Sequence, residues 1–273
     1  MSERTIVLSG ASSGIGAALA VALAAPGRRL VLTARRRDAL EATCELVRRA
    51  GAEAEVVTGD LSTRQGARQL AERIREAMPA IDLLIHNAGI WPTKRELTME
   101  GFERGFAVNY VGTRELNESL LPSLRGTLDR PPRVVFVSAG LLKVMGRWDK
   151  QRTPKGTDFS RVKTYANTKL CGAIYARQFA LEHPELEVML LHPGVVRTEL
   201  GVGEGLMGRA TRWMKRRWET PEACASRAAR VILEQPVPRG EGVWILEDKP
   251  DAWPKKFLQP AHAEELEAVL HQG

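Results

Sequence analysis

Short apolar runs alternate with amphipathic stretches along most of the chain. Residues 5–9, 29–34, 53–58, 81–86, 133–138, 187–191 and 242–246 read as strands. Between them, helices are expected over 14–25, 38–50, 63–78, 101–124, 165–182 and 221–234. Leu40, Cys44 and Val47 fall on one face of the second helix, and the third opens on a Ser/Thr cap and closes before Pro79. The strand runs are continuous in apolar residues rather than alternating, the mark of parallel strands covered on both faces. Right-handed crossovers then give a doubly wound α/β sandwich. With no internal repeat and no low-complexity linker, residues 1–273 are expected to form one domain. Two segments break the pattern: a polar insert at 141–164, with Trp148, Lys150, Arg152, Lys155 and Gly156, and a stretch at 200–219 rich in Gly, Met, Trp and Arg. Both leave strand C-terminal ends, the edge where open α/β sheets bind ligands.

Composition changes this picture little. Apolar residues make up 44% and charged residues 27%, an ordinary globular balance. No apolar run reaches the roughly 18 residues of a membrane span, and no secretory signal is visible, so the cytoplasm is the expected compartment. Cys44, Cys171 and Cys224 lie far apart, without metal-ligand spacing or a disulfide framework, and read as reduced structural thiols. No metal site is expected. The net charge of +7 is spread over the chain without a nucleic-acid-binding signature, so no nucleic-acid partner is expected.

The candidate chemistry starts between the first strand and first helix, at Ser9-Gly10-Ala11-Ser12-Ser13-Gly14-Ile15-Gly16. Glycines here allow a tight turn and close backbone approach to a pyrophosphate, and the helix N-terminus offers free N–H groups to phosphates. The second strand ends in Ala34-Arg35-Arg36-Arg37. An NAD site places a carboxylate at this strand end; guanidinium groups instead suit the 2′-phosphate of NADP. Further on, Tyr165 and Lys169 share a helix face. A nearby ammonium favours the phenolate and would lower the tyrosine pKa towards neutrality.

The Gly10, Gly14, Gly16 spacing resembles that of the short-chain dehydrogenase/reductase (SDR) family. So do Asp60-Leu61, Asn87-Ala88-Gly89 (with His86 in place of the first Asn), Asn109, Tyr165-x-x-x-Lys169 and the loop Pro193-Gly194-Val195-Val196-Arg197-Thr198. The resemblance implies a Rossmann fold and an enzyme interconverting a carbonyl and an alcohol with NADP(H). It assigns Gly10, Ser12, Ser13, Gly14, Ile15, Gly16, Arg35, Arg36, Asp60, Leu61, Asn87, Ala88 and Gly89 to the cofactor, together with Tyr165, Lys169, Pro193, Gly194, Val196 and Thr198. It makes Tyr165 the general acid/base, Lys169 its tuner and ribose ligand, and Asn109 the support of a proton-relay water. The long insert resembles the retinol-dehydrogenase-like branch, and relatives that form dimers or tetramers suggest the same here.

One position departs from the family. Its substrate-orienting serine falls on Ala139, with Ser138 just before it. Three readings stay open: a bulge lets Ser138 serve, the insert donates the missing hydrogen bond, or the site is impaired. A non-catalytic NADP(H)-binding protein is the corresponding rival. His86 and His192, at strand ends, read as structural. The resemblance implies that the basic, aromatic run 209–218 is a flap over a mainly apolar substrate; a membrane-surface helix, or aromatic residues that simply close the pocket, are the alternatives.

Overall fold

The structure is a computed structural model that describes residues 4–126, 130–145, 147–197, 218–254 and 260–270. Its strands are β1 (Arg4–Ser9), β2 (Arg28–Ala34), β3 (Glu53–Thr58), β4 (Leu83–His86), β5 (Arg133–Val137), β6 (Glu187–His192), β7 (Val243–Leu246) and β8 (Lys249–Asp251). They form one sheet in the order β3-β2-β1-β4-β5-β6-β7-β8, parallel except for the antiparallel last pair. The chain winds outward from β1 in one direction, then returns to lay β4 on its other side. The C-terminal ends of β1 and β4 therefore flank a topological switch point, where such sheets open a ligand crevice.

The helices are α1 (Gly14–Leu23), α2 (Arg37–Arg49), α3 (Arg64–Ala77), α4 (Arg104–Phe106), α5 (Thr113–Leu120), α6 (Arg161–Glu182), α7 (Pro221–Glu234) and α8 (Pro260–Leu270). Alternate strand residues feed two cores. Ile6, Leu8, Leu30, Leu32, Ile85 and Val135 pack with Leu19, Leu40 and Ile232 on one face. Val7, Val31, Leu84, Val134 and Phe136 pack with Leu70, Leu116 and Leu170 on the other. Burial on both faces is why these strands read as unbroken apolar runs. Local chemistry sets the helix starts: Thr63 Oγ1 accepts from Gly66 N at 3.0 Å, and Thr220 Oγ1 accepts from Ala223 N at 3.2 Å ahead of Pro221.

The region 101–124 is not the single helix its pattern suggests. Glu103 opens α4 by accepting from Gly105 N and Phe106 N, both at 2.9 Å. A π-helical segment, Ala107–Gly112, follows, then α5 and a 3₁₀ turn at Leu121–Ser123. Gly112 permits the tight approach behind this segment, since a Cβ there would lie 2.0 Å from Leu61 O. α6 starts at Arg161, a turn before Tyr165, and β5 stops at Val137, leaving Ser138 just outside it. The sequence reading missed β8 and α8. β8 is short and exposed. α8 carries Ala263, Leu266 and Leu270 at helical spacing, buries the last two against the second core, and is gripped by Arg114 through two bonds to Glu267 (3.0 and 2.8 Å).

Candidate active site

A cavity of about 430 Å³ opens at the switch point. Gly10, Ser12, Ser13, Gly14, Ile15 and Gly16 line it from the β1–α1 turn, Ala34, Arg35 and Arg36 from the end of β2, and Asp60 and Leu61 from the end of β3. Asn87, Ala88 and Gly89 line it from the end of β4. The glycines are required by geometry. Gly10 has φ +71°, and a Cβ there would meet Ala88 Cα at 2.7 Å; at Gly16 it would meet Gly10 O at 2.1 Å. Ser13 precedes α1 in extended conformation without a side-chain cap, leaving the helix N–H groups to the cavity. Asn87 braces the turn, with Nδ2 donating to Ser9 O (3.1 Å) and Gly10 O (3.2 Å). Ser9 Oγ in turn accepts from Asn87 N and Ala88 N, each at 3.1 Å.

The cradle fits a dinucleotide: a glycine turn that admits no side chain, a helix N-terminus aimed into a long crevice, and cations at its far end. Of the three consecutive arginines, Arg37 pairs along α2 with Glu41 at 3.1 Å, so Arg35 and Arg36 are the two that line the crevice. Ala34 stands where an NAD site would hold its carboxylate. Sequence reasoning missed Thr33, Gly59, Leu70, Ile90 and Val108 as lining residues. Gly59 had a signal, standing immediately before Asp60 at the strand end. The others are ordinary core types whose exposure to the crevice only the fold decides.

The reacting end adjoins the crevice at Gly89, where a Cβ would lie 3.3 Å from Lys169 Nζ and 3.4 Å from Asn109 Oδ1. Tyr165 and Lys169 lie on α6, 5% and 9% exposed, with Nζ 5.9 Å from the Tyr165 ring centroid. Lys169 Nζ donates to Val137 O at 3.1 Å. Burial pushes the lysine down to about 8 and the phenol upward. The expected lowering of Tyr165 by the ammonium is thus not seen: Nζ addresses the ring and Val137 O, and desolvation decides. Trp91 adds to that desolvation. Its ring stacks on Tyr165 at 4.4 Å and 10°, held by Nε1 donating to Arg161 O at 2.7 Å. The sequence reading passed over Trp91, because only the fold brings the end of β4 against α6.

Asn109 sits in the π-helical segment with its side chain fully engaged. Oδ1 accepts from Ile90 N at 2.8 Å, and Nδ2 donates to Ile90 O (2.9 Å) and Thr168 Oγ1 (3.0 Å). It therefore fixes the β4 loop to α6, one residue before Lys169.

Ser138 does not bulge towards Tyr165. The β5–β6 ladder runs one to one to Val137↔Leu191, Ser138 N continues it by donating to Leu191 O at 2.7 Å, and Ala139 is extended at φ −140° and ψ 143°. The Ser138 side chain is buried among His86, Asn109, Lys169 and Gly172 around a smaller cavity. The described part of the insert turns elsewhere. Asp149 N donates to Asn167 Oδ1 at 3.0 Å, and Asn167 Nδ2 returns bonds to Asp149 O (2.9 Å) and Thr153 Oγ1 (2.8 Å). Asn167 is two residues from both Tyr165 and Lys169, about 200° around the helix. The insert is thus bolted to the opposite face of α6, and its described bonds offer no replacement for the serine.

Pro193, Gly194 and Val196 follow β6. Pro193 O accepts from Arg227 Nη2 at 2.8 Å and from Cys224 Sγ at 3.2 Å, and Val196 bridges Glu219. These three do not line the large cavity, and Thr198 and nearly all of the 200–219 stretch lie outside the described residues. His192 lies beside Gly140. All three cysteines are buried. Among the described residues no metal-binding cluster is found, and no helix is long and apolar enough to cross a membrane.

His86 is fully buried and held down to about 4 by desolvation. The unfolded chain binds a proton near pH 6.5, and the folded one resists it until about 4. Stability from this residue is therefore present above pH 6.5 and lost as pH falls towards 4. Relative to His86→Asn, the wild type is expected to lose about 2 kcal/mol more between pH 7 and 5 in urea denaturation. Equal losses would show that His86 titrates freely in the fold.

A family model described as short chain dehydrogenase matches residues 4–149. The chain is a short-chain dehydrogenase/reductase. Its curated relatives place it in the retinol-dehydrogenase-like branch. It is 31% identical to retinol dehydrogenase 14 of Mus musculus over 215 residues, covering 74% of this chain and 64% of that protein. It is 37% identical to dehydrogenase/reductase SDR family member 13 of Bos taurus over 203 residues, covering 72% of this chain and 52% of that one. The matched region thus spans only about half to two thirds of these relatives. Among solved structures, an alcohol dehydrogenase from the archaeon Thermococcus sibiricus, complexed with 5-hydroxy-NADP, matches at TM-score 0.68 and 25% identity, over 92% of this chain and all of that one. An uncharacterized protein from Mycobacterium Paratuberculosis matches at TM-score 0.74 and 24% identity, over 99% and 93%, and supports the fold alone. Members of this family bind a nicotinamide cofactor, and the crevice already described has the glycine turn and helix N-terminus that such a group requires.

Proposed function

We propose that this SDR is an NADP(H)-dependent oxidoreductase that interconverts a carbonyl and an alcohol on a small, mainly apolar substrate. The observation that carries the reading is a single crevice with Arg35 and Arg36 at one end and Gly89, against Lys169, at the other. The glycine turn and the α1 N-terminus would hold the pyrophosphate, and the two arginines the 2′-phosphate. The chemistry such a cofactor supplies when bound is hydride transfer at its nicotinamide. The chain's own part is proton transfer and exclusion of water. Tyr165, kept neutral by burial, donates its phenolic proton to the developing alkoxide in reduction and takes it back in oxidation. Lys169 supplies positive charge beside it. Trp91, stacked on Tyr165, puts an apolar ring beside the reacting group, in keeping with an apolar substrate and with the name of the mouse relative.

Titration with NADPH and NADH, followed by nicotinamide fluorescence, tests the cofactor assignment. NADPH is expected to bind at least about tenfold more tightly, and Arg35→Ala/Arg36→Ala to erase the difference, since charge-assisted bonds of about 1.5–3 kcal/mol are lost. Equal affinities in the wild type would remove the arginines from the site.

A second reading follows from Ala139: the fold retains NADP(H) binding with little or no turnover and acts as a sensor or interaction protein. Intact Tyr165, Lys169 and Asn109 favour the enzyme. Cytoplasmic location, a homodimer or homotetramer, and the absence of a nucleic-acid partner are proposed on sequence and family resemblance alone. Light scattering reads the assembly, and a liposome pull-down reads the alternative that 209–218 touches membranes.

A further inference from the structure

Behind Lys169 lies a second cavity of about 20 Å³, enough for one water. His86, Asn109, Ser138, Lys169, Gly172 and Tyr175 are among its walls. Three lining residues, Tyr110 among them, carry buried polar atoms without a hydrogen-bond partner in the protein: His86 Nδ1, Tyr110 Oη and Ser138 Oγ. Orphaned polar atoms at a buried cavity are the usual partners of an ordered water.

The protonation of His86 follows from its other neighbours. Tyr175 O–H donates to Glu118 Oε1 at 2.6 Å, so the Tyr175 oxygen accepts from Asn117 Nδ2 at 2.7 Å. Asn117 therefore turns Oδ1 to His86 Nε2, 3.0 Å away, and Nε2 must carry the proton. Neutral His86 then offers Nδ1 to the cavity as an acceptor. Lys169 stands in the same walls with an ammonium of three donors, one of them given to Val137 O. The titratable groups lining the cavity are His86, Tyr110, Lys169 and Tyr175, and Glu118 closes the chain on its far side.

Gly172 borders this space. It lies in the interior of the 22-residue α6, where glycine is unfavourable, and a Cβ there would meet nothing within 4 Å. No backbone contact calls for a glycine at this position, and the space beside it, which Lys169 also lines, is open.

We propose that the cavity is a built water site, in which one water donates to His86 Nδ1, accepts from Lys169 Nζ and is completed by Ser138 Oγ. His86 is thereby a positioning residue for Lys169, acting through the water. Ser138, turned away from the substrate side, has its role here. The significance of this arrangement rests on Lys169 being a working residue of the proposed enzyme; the water site itself does not.

A crystal structure of the full chain at near-atomic resolution, with Lys169 titrated by ¹⁵Nζ NMR in the absence of cofactor, tests this. The wild type is expected to show one ordered water bonded to His86, Ser138 and Lys169. Gly172→Ala is expected to fold, to melt higher as a better helix former, and to displace the water. Losing that partner of the ammonium should lower the Lys169 pKa by about one unit in Gly172→Ala and in His86→Phe. A dry cavity, or an unchanged Lys169 titration in a folded Gly172→Ala protein, overturns the proposal and leaves the oxidoreductase reading standing. A wild type that holds the water but reduces no carbonyl strikes that reading alone.

Discussion

Tyr165→Phe is expected to lose about 10²–10⁴ in carbonyl turnover, the usual contribution of a positioned general acid. It should still bind NADPH and melt close to the wild type. The substitution removes one oxygen and keeps the ring that stacks on Trp91 at 4.4 Å. Burial holds the phenol neutral, so the protein arrives at the reaction with its proton in place. Phenylalanine fills the same space with nothing to donate. Steady-state NADPH consumption with a substrate that the wild type reduces, beside cofactor titration of both proteins, measures this. A mutant within tenfold of the wild type would mean that the alkoxide is protonated by another group, and the role given to Tyr165 would be withdrawn.

Ala139→Ser is expected to raise turnover by about 10²–10³, the typical worth of one preorganised donor to a developing oxyanion. Among the described residues, the structure supports neither of the two other readings. Ser138 is buried beside Lys169, and the described insert bonds to the far face of α6. Neither supplies the missing hydroxyl. Ala139 is partly exposed in extended backbone, so a serine there needs no rearrangement. The comparison is kcat/KM of the two proteins on the same carbonyl panel. A variant no faster than the wild type, with cofactor binding intact, would show that the site orients its substrate without a serine at that position.

Much of the fold was legible because its signals are local. A continuous apolar run, a glycine turn and an amphipathic helix each declare themselves within about twenty residues, and seven of the eight strands were read this way. The cofactor crevice was legible for the same reason, since positive φ at Gly10 and close contacts at Gly16 leave no choice of residue. What escaped depends on approach between distant segments. The π-helical turn at Asn109 was hidden inside an ordinary helical pattern and is fixed by Ile90 and Thr168. Trp91 meets Tyr165 only because β4 ends beside α6. The line from His86 through Asn117 and Tyr175 to Glu118 joins β4, α5 and α6. The shift at Tyr165 came out opposite to expectation, because proximity to Lys169 could be read from spacing whereas burial could not. The α8 pattern was present in Ala263, Leu266 and Leu270 but was passed over.

The most direct test of the central claim is NADPH oxidation by the purified protein against a broad panel of aldehydes, ketones and quinones, with Tyr165→Phe and Ala139→Ser in parallel. The structure leads us to expect carbonyl-dependent NADPH oxidation by the wild type, abolished in Tyr165→Phe and increased in Ala139→Ser. Tight NADPH binding with no carbonyl-dependent oxidation by the wild type or by Ala139→Ser would contradict it and leave the cofactor-binding sensor as the function of this chain.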